Sequence, residues 1–113
     1  MILRAVKVTI APGQTDAYWS WSREIVALWD EGGVRRAGGP YRLSGRSGEQ
    51  IALWLTVHET EVDARTEFEA LYSAGRGKEL IERRPALVAA TEVVAYSDWQ
   101  PGMEPPPAAP AWG

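Results

Sequence analysis

The sequence predicts an α+β domain in which two main helices pack on one face of a four-stranded antiparallel sheet. Three observations carry that prediction. Residues 50–59 alternate in a strict period of two, which is the mark of a strand. Strand-like and helix-like segments follow one another in the order strand, helix, strand, strand, helix, strand. Glycine and proline stand at the joints between them.

Residues 3–10 form the first strand: Val6, Val8 and Ile10 fall on one face, with Ala5, Lys7 and Thr9 on the other. β-Branched residues dominate, and Pro12-Gly13 ends the segment. A helix follows from about Thr15, which is the N-cap candidate, with Asp16 favourably placed at the positive helix end. Tyr18, Trp21, Ile25 and Leu28 recur at three- and four-residue spacing, Trp29 widens that stripe, and Gly32-Gly33 stops the helix.

Residues 34–44 form a weaker strand, interrupted by Gly38-Gly39-Pro40 as at an edge or a bulge. Arg46-Ser47-Gly48 supplies the turn into the third strand, so strands two and three make a hairpin. Thr60 and Asp63 form a capping-box variant that opens the second helix, whose inner face carries Ala64, Phe68 and Leu71 with Tyr72 beside them. Gly75 and Gly77 break it, a further short turn or two covers residues 78–84, and residues 90–99 are the last strand. From Gln100 onward five prolines forbid regular structure. The division is therefore a domain at residues 1–99 and a proline-rich tail at residues 100–113, whose Trp112 is free to dock on a neighbour.

This order is the split arrangement of ferredoxin-like domains. In the third strand Ile51, Leu53, Leu55 and Val57 make a purely aliphatic face, expected to meet the helices. Ala52, Trp54, Thr56 and His58 make the other, expected to look into a cavity. A sheet whose second side carries Trp54 and Tyr96 exposes an apolar patch unless something covers it, and pairing of two sheets into a homodimeric barrel removes the problem.

Composition bounds the function. At 113 residues the chain is a single domain of ordinary globular character, 45% hydrophobic and 24% charged. A net charge of −3 and no basic run longer than Arg35-Arg36 or Arg83-Arg84 argue against nucleic acid or anionic membrane as partner. The two arginine pairs read as solvated surface. With no cysteine and one histidine, disulfides, thiolate chemistry and a histidine-rich metal cage are excluded. No secretory signal or membrane-length apolar run is visible, so a cytoplasmic setting is expected. Six tryptophans are many for one small core, and tryptophan is enriched in ligand cavities and interfaces.

The span 1–99 resembles the dimeric α+β barrel superfamily. The run Gly39-Pro40-Tyr41-Arg42 through Ser44-Gly45-Arg46-Ser47-Gly48-Glu49-Gln50-Ile51 to Leu53-Trp54 is similar to NIPSNAP-like proteins. Ala64-Arg65 at a helix start and Pro12-Gly13-Gln14-Thr15-Asp16-Ala17-Tyr18 at the first strand-to-helix turn add to the likeness. The ending Thr56-Val57-His58 and the proline-rich tail depart from it. The resemblance implies a homodimer but no particular activity, because the superfamily includes monooxygenases of antibiotic biosynthesis, haem-degrading enzymes, dehydratases and lactone-forming enzymes.

Candidate site residues are therefore His58 as general acid or base, with Trp54, Thr56, Tyr96, Arg42, Lys7 and Trp19 as pocket lining. His58 is the one side chain that titrates near neutrality without strong perturbation; the alternative is a strand-end histidine paired with a carboxylate or water. Arg42 suits a substrate carboxylate or an exposed strand edge, and Lys7 opposite Glu92 would be a structural pair. Trp19 suits a pocket mouth or the core rim. These residues point to no cofactor and no metal. Three functions remain open: a binder of a small apolar or aromatic molecule, a cofactor-free monooxygenase, cyclase or isomerase using His58, and a structural subunit whose barrel is filled by its own side chains.

Overall fold

The computed structural model describes residues 1–100. The order is β1 (Ile2–Ile10), α1 (Thr15–Gly32), β2 (Arg35–Ser44), β3 (Gln50–His58), α2 (Glu61–Tyr72), α3 (Gly75–Arg83), a 3-10 turn (Arg84–Ala86) and β4 (Val88–Tyr96). The sheet runs β2-β3-β1-β4, with antiparallel neighbours throughout. This is the ferredoxin-like α+β arrangement, with three helices on one face. Residues 101–113, which hold most of the proline-rich tail and Trp112, lie outside the described residues.

Local chemistry accounts for most boundaries. Thr60 accepts a hydrogen bond from the Asp63 amide at 3.1 Å and caps α2. Gly33, at φ 78°, takes the left-handed conformation that ends α1. The start of α1 differs from expectation: Gln14 occupies the cap position without a side-chain bond, and Thr15 is already helical. The short turns expected over residues 78–84 are a full helix, α3, beginning at Gly75. A Cβ at Gly77 would lie 1.7 Å from the Leu71 carbonyl oxygen, so only glycine lets α3 start this close to α2. The last strand runs from Val88 to Tyr96, starting and ending earlier than the sequence suggests. Trp99 then folds back, its amide donating to the Met1 carbonyl at 3.1 Å.

The register sets the two sheet faces. Val6 pairs with Trp54 and Val93, Arg4 with Thr56 and Ala95, and Val8 with Ala52 and Thr91. Val8, Ala52 and Trp54 pack with Tyr18, Trp21, Ile25 and Trp29 of α1, which makes this the helix face. Leu3, Ala5, Leu53, Leu55 and Val57 form a separate aliphatic cluster on the second face, against Met1, Ala37, Leu43, Tyr96 and Trp99. The expected orientation is thus reversed: Trp54, Thr56 and His58 point to the helices, and the aliphatic side of β3 points away. The reason is volume. Helix α1 brings large rings to the sheet, and Trp54 fills the space between them, its ring centroid 5.0 Å from that of Trp29. The aliphatic side chains are just as buried, and each contributes about 1.5–3 kcal/mol by leaving water.

Candidate functional site

The helices leave the β1–β4 side of their face partly uncovered, and a cleft of about 490 Å³ opens there. Its floor is Arg4, Val6 and Val8 of β1, Trp54 of β3, and Thr91 and Val93 of β4. Its walls are Tyr18, Trp21, Ile25 and Trp29 of α1, Phe68 and Tyr72 of α2, and Ile81, Arg84 and Pro85 at the end of α3. Val93 stands at the mouth, half exposed. An outer trough of about 640 Å³ shares Arg4, Phe68, Tyr72 and Val93 with the cleft and runs outward past Glu61, Arg65 and Glu69 of α2 and Ser73 at its C-cap. Those side chains are polar, whereas the walls of the inner cleft are mostly aromatic and aliphatic.

Two indole–phenol pairs organise the walls. Trp54 Nε1 donates to the Tyr18 hydroxyl at 2.8 Å, and Trp29 Nε1 donates to the Tyr72 hydroxyl at 2.7 Å. Trp21 Nε1 spends its proton on the Leu80 carbonyl at 2.8 Å, which ties α1 to α3. Phe68 stacks parallel to Tyr72 with centroids 6.0 Å apart, and the Arg4 guanidinium lies 5.3 Å over the Phe68 ring.

Burial governs the electrostatics. It pushes the Tyr18 phenol up to about 12, against the opposing effects of the Trp54 hydrogen bond and the Arg84 charge. Burial likewise raises Tyr72, although Trp29, Arg84 and Arg4 favour its anion. Arg4 is lowered, first by desolvation and last by the like charge of Arg84, while Tyr72 and Glu61 act the other way. Both phenols are therefore protonated at neutral pH.

Of the residues named from sequence, Trp54 lines the cleft. Thr56 and His58 share its sheet face but are bound to each other, His58 Nε2 lying 2.8 Å from Thr56 Oγ1, and do not line the cleft. His58 Nδ1 contacts the Glu67 carboxylate, so both ring nitrogens are engaged, and its side chain is fully buried behind Phe68 at 5.4 Å. Arg42 and Trp19 meet each other, the guanidinium 4.5 Å over the ring, away from the cleft. Lys7 and Tyr96 fall on the second face, where Lys7 stands opposite Glu92 in register.

The sequence reading missed Arg4, Arg84, Tyr18 and Tyr72 as site residues. Period two counted back from Val6 would have put Arg4 on the same face. Arg84 was hidden in a pair: Arg83 reaches Glu24 at 3.2 Å on the surface, whereas Arg84 turns inward to Thr91 at 2.7 Å.

No family model matches the sequence, and no curated protein matches it either. Solved structures do. An uncharacterized NIPSNAP domain protein from Burkholderia xenovorans superposes with a TM-score of 0.69 at 12% identity, over 88% of this chain and 95% of its own. The fold is that of the NIPSNAP proteins. A NIPSNAP family protein from Agrobacterium tumefaciens matches at TM-score 0.67 and 18% identity, over 90% of this chain and 98% of its own. An antibiotic biosynthesis monooxygenase follows at TM-score 0.59 and 13% identity, covering 88% and 100%. At such identities the likeness to NIPSNAP proteins and to the monooxygenase is one of fold, and function has to be argued from the cleft itself.

Proposed function

We propose that this NIPSNAP-like domain binds a small, flat, largely apolar molecule in the cleft between sheet and helices. The observation that carries the reading is the cleft's size and lining together. At about 490 Å³ it falls within the range of about 300–1,000 Å³ typical of small-molecule sites, and its walls are mostly aromatic and aliphatic. A filled barrel fits poorly with that volume. Acid–base catalysis is less well supported than binding, because the lining contains no carboxylate and no histidine to take a proton.

In the same reading the second sheet face serves a homodimer. Tyr41, paired with Leu53 and 47% exposed, would join the outer surfaces of Leu43, Tyr96 and Trp99 in the contact.

Calorimetric titration of the full chain with two naphthalene probes, 2-naphthoate and 2-naphthamide, tests the binding reading. At least one should bind saturably with one site per chain, and Val93→Trp, which blocks the mouth, should abolish it. If neither probe binds at millimolar concentration, the proposed function is wrong.

A further inference from the structure

The polar groups of the cleft are almost all hydrogen-bond donors. An indole Nε1 donates only, so in both indole–phenol pairs the tyrosine oxygen is the acceptor. The phenol protons of Tyr18 and Tyr72 are left over, and neither has an acceptor among the described residues. Arg4 and Arg84 add two guanidinium groups. Among the described residues neither forms an ion pair: Arg4 lies over the Phe68 ring, and Arg84 donates to the Thr91 hydroxyl. No Asp or Glu lines the cleft.

Such a set is expensive to assemble without a purpose. Two like charges share one partly buried space, and burial already disfavours the charge on Arg4. Arg4, Tyr72 and Arg84 all line the cleft, whereas Tyr18, with no exposed surface, only closes its inner wall. Glu61 of the adjoining trough acts on Arg4, but no carboxylate lines the cleft itself to serve the three groups together.

We propose that the ligand of this cleft is a planar aromatic acid, its ring lying against Trp54, Trp29 and Phe68 and its carboxylate taken by Tyr72, Arg4 and Arg84. Arginine suits this role because its planar fork donates two parallel hydrogen bonds to a carboxylate. The raised Tyr72 pKa fits as well, since a phenol that stays protonated keeps its proton for donation. The inference rests on the cleft being the binding site and adds the chemical class of what binds.

The isosteric pair 2-naphthoate and 2-naphthamide separates the two readings, because the probes share a ring system and differ in charge. On the full wild-type chain the carboxylate should bind at least about tenfold more tightly than the amide, the size of one lost charged hydrogen bond. Arg84→Gln and Arg4→Gln should each reduce that preference about tenfold, read as the ratio of the two affinities measured on the same variant. Arg84 is half-buried at a helix end, so its variant keeps the test available if Arg4→Gln folds poorly by circular dichroism. Equal affinity for the two probes overturns the aromatic-acid inference and leaves the binding function standing. Binding of neither overturns both.

Discussion

The two faces of one sheet, built from alternate residues of the same strands, do opposite work. On the helix face β1 and β3 contribute Arg4, Val6, Val8, Trp54, Thr56 and His58, and nearly every polar atom has an assigned partner or points into a cleft. On the second face the same strands contribute Leu3, Ala5, Leu53, Leu55 and Val57, which have no polar atom to place. Burial does not separate the faces, since Trp54 and Leu55 are each 4% exposed. What separates them is directionality. Aliphatic burial is indifferent to what covers it, whereas indoles, phenols and guanidinium groups need geometry, and the helix face holds both indole–phenol pairs while the rings of the second face, Tyr41, Tyr96 and Trp99, flank its aliphatic cluster.

The largest effects should come from breaking the faces one at a time. Trp54→Ala is expected to lose about 3–5 kcal/mol in urea denaturation, as truncation of a buried aromatic does. It should also abolish binding of the naphthalene probes, because it removes a cleft floor and the donor to Tyr18. On the other side Tyr41→Glu should leave folding and probe binding intact while sedimentation velocity shows a monomer in place of a dimer. If Tyr41→Glu lowered probe affinity as Trp54→Ala does, the division of labour between faces would fail.

Next in size is the buried phenol of the helix face. In the folded protein Tyr18 titrates at about 12 against an ordinary 10.0, so between those values only the folded chain keeps the proton. Raising the pH across that window therefore favours unfolding, and the stabilisation present below pH 10 is lost by pH 12. The wild type should lose about 2–3 kcal/mol more over this range than Tyr18→Phe does. Parallel stability–pH curves for the two proteins would show that the hydroxyl is not held as the structure places it.

How much of this was legible in the sequence depends on which kind of information a residue carries. Period two fixed which residues of β3 share a side, and the Thr60–Asp63 spacing located the start of α2. Neither pattern says which side meets the helices, because both sides of β3 are apolar enough to bury. That choice was made by side-chain volume on a distant element, the ring-rich stripe of α1. The same limit explains the site. Trp54 could be named from its strand alone, but its partner Tyr18 lies thirty-six positions away and looks like an ordinary core residue of a helix stripe. Arg83 and Arg84 are indistinguishable in sequence until the end of α3 points one outward and the other into the cleft.

His58 marks the boundary of the working face and carries the smallest expected effect. It looks like chemistry in the sequence because it is the only histidine, yet its ring is pinned between Thr56 and Glu67 and joins β3 to α2. Removing it strips a hydrogen bond from buried Thr56 and leaves a cavity at a buried ring, so His58→Ala should lower stability by about 1–3 kcal/mol. The ring touches the cleft only through the far side of Phe68, so the affinity for 2-naphthoate should stay within about twofold of wild type, as for sites that share no partner. A loss of affinity well beyond that, in a variant that still folds, would move His58 from scaffold to site. Proton transfer would then become the better account of the helix face. With affinity retained, the face would recognise its ligand through donors that the sequence scattered over β1, α2 and the turn after α3.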